Sequence, residues 1–303
     1  MRKRIIVAIP IVVVLLLAIL IQGWVLAIFA AAIALLCQYE VVRAMDSNGM
    51  PVIKTASFLY AILLAALFLL GVPNGQQIFT PVYLTTTTVF VLLVIFVLVA
   101  FIASVLSKKH DATSAVNTIF SYIYPQFFFT LFYLLIIQTA QPAPVSESIA
   151  GGLTDGYLNM LVVLLMVFIP AVFSDTFAYF FGRAFGKRKL CPDISPKKTV
   201  AGSVAGVVFG VVAGVAIWAV FDNTVYWSGH FYTVAPLVNF AVMGGVLAVI
   251  SQFGDLAASM LKRKLNIKDF GNLLPGHGGV VDRLDSVMFC IPVVYVFKLC
   301  YFI

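Results

Sequence analysis

Four stretches of this 303-residue chain hold side chains whose types and spacing could do chemistry. The densest runs from Ser259 to Asp285: Lys262, Arg263, Lys264 and Lys268, then Gly271, then Pro275-Gly276-His277-Gly278-Gly279, then Asp282-Arg283-Leu284-Asp285. Glycines at 276, 278 and 279 let backbone N–H groups come close to an anion, because no side chain blocks the approach. Asp282 and Asp285 are three apart, so on a helix they share a face and can hold one cation, or a pair, between them. Carboxylates beside a basic, glycine-rich loop suit a metal-bound phosphate.

The second stretch, Arg183 to Thr199, contains six basic residues and closes on Ser195-Pro196-Lys197-Lys198-Thr199. A basic loop can be a topology signal alone. Two ammonium groups and two hydroxyls directly before a Gly-rich apolar run favour a phosphate-binding corner at a helix start. The third and fourth stretches are single acids in apolar surroundings, Asp175 beside Ser174 and Asp255 with Ser251, Gln252, Ser259 and Lys262 at helical spacing. An ionised carboxylate at membrane depth costs several kcal/mol unless it is paired, hydrated or metal-bound. Either a basic loop folds over these acids or they join Asp282 in one metal cluster.

The elements that must position these residues follow from composition. Hydrophobic residues make up 62% of the chain and charged residues 10%, against about 25% charged in a typical soluble protein, so a soluble fold is excluded. Apolar windows of about 20 residues occur near 5–21, 24–42, 55–73, 80–106, 114–139, 157–182, 200–221, 233–261 and 286–303. The expected architecture is all-α and polytopic, with about nine transmembrane helices. Barrel strands would instead alternate over about 10 residues. Gly23 and Trp24 interrupt the first apolar run, which fits an uncleaved first span better than a signal peptide.

Numbering spans from the N-terminus puts segments 1–4, 43–54, 107–113, 183–199 and 262–285 on one side, and these hold eighteen of the nineteen Lys and Arg residues. The positive-inside rule makes that side cytoplasmic. Lys298 alone lies in the last span, placed to snorkel outward. The other side has Glu147, Asp155 and Asp222. Four cysteines without metal or redox spacing read as reduced and structural. Glu40 and Arg43, three apart, are expected to pair with each other. His110 and His230 read as solvated loop residues, and Gly202, Gly206, Gly210 and Gly214 as a smooth face for helix packing within the chain or across a dimer.

From Ser259 to Asp285 the pattern Ser-x-Leu-Lys-Arg, four residues, Lys-Asp-x-Gly, two residues, Leu-Pro-x-His-Gly-Gly-Val-x-Asp-Arg-Leu-Asp resembles the signature of phosphatidate cytidylyltransferases, the CDP-diacylglycerol synthases. Ser174-Asp175-Thr176-Phe177-Ala178-Tyr179, Ser195-Pro196-Lys197-Lys198-Thr199 and Ser251-Gln252-Phe253-Gly254-Asp255-Leu256 resemble that family's other blocks, in the same order. The likeness covers roughly residues 170–303; residues 1–160 match only as hydrophobic spans. One position departs: family members usually follow Ser-Pro-Lys-Lys-Thr with one residue and then Glu-Gly, and here Ala201 stands where the acid would be.

The resemblance implies transfer of the cytidylyl group of CTP to phosphatidic acid, giving CDP-diacylglycerol and pyrophosphate for phospholipid synthesis. It implies Asp255, Asp282 and Asp285, with Asp175 nearby, as ligands for Mg²⁺ (Mn²⁺ substituting) and for a second cation, Mg²⁺ or K⁺. Asp255, Asp282, Asp285 and Lys264 are the expected catalytic residues. Ser195, Lys197, Lys198, Thr199, Arg263, Lys268, His277, Gly278, Gly279 and Arg283 are the expected contacts to CTP, pyrophosphate and lipid headgroup. Residues 161–303, with loops 183–199 and 262–285, form the expected catalytic region around a polar funnel facing the cytoplasm. Residues 1–160, spans one to five, serve packing, dimerisation or lipid access. The resemblance implies a multi-pass protein of a bacterial inner membrane, a homodimer among membrane lipids with no nucleic-acid partner. The alternative class is a transporter for an anionic solute, against which the halves show no repeated motif or matching broken helices. A CDP-alcohol phosphotransferase would carry a single Asp-rich run that this chain lacks.

Overall fold

Apolar backbone without water can satisfy its N–H and C=O groups only inside a helix or a closed barrel, and nearly all of the structure is helical. The computed structural model describes residues 13–71, 85–139, 155–221, 236–274 and 278–301. Expectations for residues 1–4, for the start of the fourth span, and for Glu147, Asp222, His230 and His277 fall outside them. The chain divides into two units, Met1–Gln141 with Lys264–Arg283 and Pro142–Arg263 with Leu284–Ile303.

The first unit contains a helical stretch at 13–21 and helices α1 (Gly23–Ser47), α2 (Lys54–Gly71), α3 (Thr86–Leu106), α4 (Ala112–Ile123) and α5 (Gln126–Thr139). The break read at Gly23 is present, with positive φ at both Gln22 (55°) and Gly23 (51°). The fifth apolar window is two helices rather than one, interrupted at Tyr124-Pro125, because proline disfavours helical backbone in the residue before it. Asp111 caps α4: its carboxylate accepts the Ser114 N–H at 2.8 Å, and that bond holds its carboxyl below the usual carboxylate range. A buried polar seam fixes α1, α2 and α4 together. Gln38 Nε2 donates to Ser57 Oγ at 2.6 Å, Ser57 shares a hydrogen with Ser121 at 2.7 Å, and Thr118 Oγ1 accepts the Ile53 N–H at 2.9 Å.

The second unit contains α6 (Asp155–Phe185), a β-hairpin, α7 (Val200–Phe221), α8 (Pro236–Lys264) and most of α9 (Val281–Tyr301). The segment 183–199, expected as a loop, is more ordered than that: α6 runs on to Phe185, and β1 (Lys189–Cys191) pairs antiparallel with β2 (Ser195–Thr199) around a turn at Pro192-Asp193-Ile194. Likewise α8 carries Lys262, Arg263 and Lys264 as its last turn. Seven helical stretches among the described residues are long and apolar enough to cross a membrane, counting 112–137 as one; α9, with four charged residues, is not among them. Lys298 does not reach outward: it is 8% exposed.

Glycines set the spacing of the second unit. A Cβ on Gly206 would lie 2.8 Å from Ser174 Oγ on α6 and 2.9 Å from Gln252 Nε2 on α8. On Gly210 it would collide with Ala248 and the Gly244 carbonyl, and on Gly214 with the Phe240 carbonyl, all on α8. The glycine face of α7 therefore packs within the chain, and helix axes close enough for backbone contact leave no room for a methyl group. Replacing Gly210 by Ala should destabilise the protein by about 1–3 kcal/mol, the usual cost of overpacking. Thermal unfolding in detergent would read this as a lowered midpoint, and an unchanged midpoint would mean that α7 and α8 sit further apart.

Candidate active site

Three acids of the second unit stand on separate segments and interact electrostatically: Asp175 on α6, Asp255 on α8 and Asp285 on α9. Each has a defined set of partners. Asp255 accepts from Ser259 Oγ, one turn on, at 3.3 Å through Oδ1, and its Oδ2 lies 2.8 Å from Lys198 Nζ on β2. Asp285 is buried, accepts the Ser286 N–H at 2.8 Å, and lies 3.7 Å from Lys262 Nζ. Asp175 interacts with the Ser286 side chain and is the exposed member of the three. Formally, three carboxylates face two ammonium groups, which leaves one negative charge over.

The hairpin explains how a lysine before a helix reaches an acid on another span. Thr199, the last residue of β2, is buried; its Oγ1 accepts the Gly202 N–H at 3.2 Å and so caps α7. Its side chain also fills the space over Gly182 and Gly186, where a Cβ would meet it. The Thr199 hydroxyl, expected to meet a phosphate, is thus engaged inside the protein. Lys198 points the other way, to Asp255 and to the Gln252 carbonyl at 3.3 Å. Lys197 is exposed, and Ser195 is half-buried opposite Cys191. Arg263, also exposed, ties the end of α8 to the hairpin through the Ile194 carbonyl at 3.4 Å. Beneath the acids, Gln252 donates to Ser174 Oγ and to the Ser203 carbonyl, both at 3.1 Å, so a polar joint links α6, α7 and α8.

The first unit holds the glycine-rich loop, and its carboxylates do other work. Asp282, in the first turn of α9, accepts the Phe270 N–H at 2.8 Å and the Gly279 N–H at 3.0 Å on the same oxygen, Oδ2. One of the glycine N–H groups expected to meet an anion is therefore occupied by an acid expected to meet a metal. Gly278 needs its glycine for backbone reasons: its φ is 86°, and its carbonyl accepts the Leu274 N–H at 3.0 Å. Gly279 is buried because Glu40 of α1 fills the place where its Cβ would stand. Glu40 does not pair with Arg43, whose guanidinium sits 6.0 Å from the Tyr39 ring centroid. Lys264, Lys268 and Arg283 are exposed.

Among the described residues, no three His, Cys, Asp or Glu side chains converge tightly enough to hold a metal ion. The donor chemistry of Asp175, Asp255 and Asp285 nevertheless suits a hard divalent cation, which takes carboxylate oxygens. Two of their oxygens already face a cation in the form of Lys198 and Lys262, and the set keeps a surplus negative charge. In donor type the residues present suit the expected Mg²⁺, while in this arrangement lysines stand against two of the three carboxylates.

The fold and this cluster define a multi-span membrane protein, helical apart from one short hairpin, with paired acids and lysines carried by its helices and that hairpin. The sequence matches the model of the cytidylyltransferase family over residues 2–301, and the chain belongs to that family; it is a nucleotidyltransferase. It is similar to the phosphatidate cytidylyltransferase of Rickettsia prowazekii (strain Madrid E), at 34% identity over 163 residues, 54% of this chain and 68% of that one. It is also similar to those of Haemophilus influenzae, 39% identical over 132 residues and 44% of each chain, and Bacillus subtilis (strain 168), 34% identical over 122 residues, 40% of this chain and 42% of that one.

The two adjacent lysines of β2 should separate in function. Lys198→Ala is expected to lower cytidylyl transfer about 10²-fold, the usual cost of losing one preorganised charge-stabilising group. Lys197→Ala, on an exposed side chain, should cost far less. Steady-state rates of the two variants would check this, and equal losses would remove the Lys198–Asp255 pair from the site.

Proposed function

We propose that this chain transfers the cytidylyl group of CTP to phosphatidic acid, releasing pyrophosphate and leaving CDP-diacylglycerol in the membrane. The observation that carries the reading is the second unit's grouping of Asp175, Asp255 and Asp285 with Lys198 and Lys262, in a chain of the cytidylyltransferase family. Phosphatidate is a phosphate monoester with a second pKa near 6, so its phosphate oxygen is a ready nucleophile at neutral pH. That oxygen forms a bond to the α-phosphorus of CTP as the bond from that phosphorus to the β-phosphate's bridging oxygen breaks. The electron pair leaves on pyrophosphate.

No strong general base is required. The barrier is repulsion between two polyanions, and it is lowered by fixed cations and in-line positioning. Asp175, Asp255 and Asp285 would hold Mg²⁺, which when bound neutralises phosphate charge. Lys198 and Lys262 keep the same carboxylates in place by pairing with them and are ammonium groups suited to the phosphates of the nucleotide. Lys197 and Arg263 in the second unit, and Lys264, Lys268 and Arg283 in the first, are exposed cations suited to anionic phosphates. Asp282 serves the loop through Oδ2, which accepts the Phe270 and Gly279 N–H groups, and its Oδ1 is the atom suited to a cation.

Purified protein with Mg²⁺, CTP and phosphatidate should form CDP-lipid and pyrophosphate, EDTA should abolish the reaction, and Mn²⁺ should restore part of it. Absence of CDP-lipid with every divalent cation tried would sink the assignment. Asp285→Asn should lower turnover by about 10²-fold or more, with an increase in the Mg²⁺ concentration needed for half-maximal rate; an unchanged Mg²⁺ requirement would remove Asp285 from the metal site.

We infer further that the basic segments face the cytoplasm of a bacterium, where CTP is found. Cys191, on β1, is half-buried, whereas Cys37 and Cys290 are buried. A membrane-impermeant thiol reagent should therefore label Cys191 in inside-out inner-membrane vesicles and leave it unlabelled in intact spheroplasts. The reverse pattern would invert the topology.

A further inference from the structure

We propose that Glu40 is a positioning residue for cytidylyl transfer: from α1, it holds the glycine-rich loop and the start of α9 in the arrangement the reaction uses. The inference rests on the reaction proposed above and assigns it a residue from the N-terminal helices, which the sequence shows only as hydrophobic spans.

Glu40 is 1% exposed, and its Oε2 accepts the Val281 N–H at 3.0 Å across 241 residues of sequence. Val281 is the first residue of α9, so its N–H is one of the four that a helix cannot satisfy internally. A carboxylate placed there also meets the positive end of the helix dipole. The rest of the carboxylate lies against the loop. A Cβ at Gly271 or at Gly279 would run into it, so both positions must be glycine for Glu40 to reach Val281.

The same loop is closed from the other side by Asp282, whose Oδ2 gathers the Phe270 and Gly279 N–H groups. Two carboxylates thus grip one loop, Asp282 from within and Glu40 from α1. What they fix is the backbone that carries Lys268, Gly278 and Arg283, together with the first turn of α9. Arg43 does not draw Glu40 away, since its guanidinium is turned to Tyr39 at 3.4 Å from the hydroxyl. A buried carboxyl group is a costly way to fill space, and this one is set against backbone that the family signature occupies.

The test uses the full chain in detergent or nanodiscs, comparing wild type with Glu40→Ala and Glu40→Gln. In Glu40→Ala, amide hydrogen exchange in peptides covering 270–274 and 278–283 should rise about 10- to 100-fold, as expected when a hydrogen bond to a charged group is lost. Exchange in α7 and α8 should stay at the wild-type level. The kcat of Glu40→Ala should fall about 10-fold or more, as misplaced groups lower the rate, and Glu40→Gln, which keeps an oxygen acceptor, should recover most of both effects. Wild-type exchange in those peptides of Glu40→Ala, or raised exchange with unchanged kcat and KM, would overturn the proposal. If global unfolding hides the Ala variant, Glu40→Asp, whose shorter side chain withdraws the carboxylate from Val281, gives the same readouts. A wild-type protein that makes no CDP-lipid would overturn the reaction assigned above, while the exchange data would still decide whether Glu40 holds the loop.

Discussion

An ionised side chain inside a hydrocarbon-clad protein costs several kcal/mol unless something pairs with it, and the disposition of the site residues follows from that cost. Asp255 is met by Lys198 and Ser259, Asp285 by Lys262 and the Ser286 N–H, Glu40 by the Val281 N–H, and Asp282 by two loop N–H groups. Two kinds of compensation are present. In the second unit, acids are met mainly by lysines, which exchange readily for another cation or an anionic partner. In the first unit, acids are met by backbone N–H groups, which a phosphate can replace only by opening the loop. The first arrangement suits reversible binding and the second suits scaffolding, although both use the same residue types at similar spacing.

Close helix packing is what lets the lysine-paired group form. Asp175 and Asp255 sit on α6 and α8, each one residue or a turn from the polar joint of Ser174, Gln252 and Ser203. That joint closes only because Gly206 of α7 has no side chain to hold Ser174 and Gln252 apart. The glycine face is therefore part of the site's construction, since it brings the two acid-bearing spans within electrostatic range of each other. The same logic applies in the first unit, where Gly271 and Gly279 admit the Glu40 carboxylate.

Much of this was legible in the sequence because hydrocarbon imposes strong local rules. Apolar windows marked the helices, clustered Lys and Arg marked one set of segments, and isolated acids in apolar runs marked Asp175 and Asp255 as residues needing partners. What stayed hidden depended on distant or precise geometry. Nothing near Glu40 points to Val281; its neighbour Arg43 suggested an ordinary helical pair instead. Gly278 and Gly279 looked alike as loop glycines, yet one answers to a positive φ and the other to a carboxylate pressed against it. Thr199 read as a ligand hydroxyl because it stands with two lysines directly before a Gly-rich apolar run, and its Oγ1 caps the helix that this run forms. The break at Tyr124-Pro125 had a signal in the proline, which the surrounding apolar run concealed.

Asp282 and Asp285 show why spacing alone was insufficient. Three residues apart on one helix, they should share a face and a cation, and their local surroundings divide them. The Asp282 carboxylate is taken by the Phe270 and Gly279 N–H groups, whereas that of Asp285 lies within reach of Lys262 and the charges of Asp175 and Asp255. The difference lies in position within the helix. Asp282 is in the first residues of α9, where the preceding loop must fold back and its N–H groups need acceptors. Asp285 is a turn further on, past the unsatisfied N–H groups, so beyond the Ser286 N–H its carboxylate is left for a side chain, Lys262, to compensate. Of two acids with the same identity and the same apparent face, the one nearer the helix end is drawn into building the loop, and the other is met chiefly by a lysine side chain.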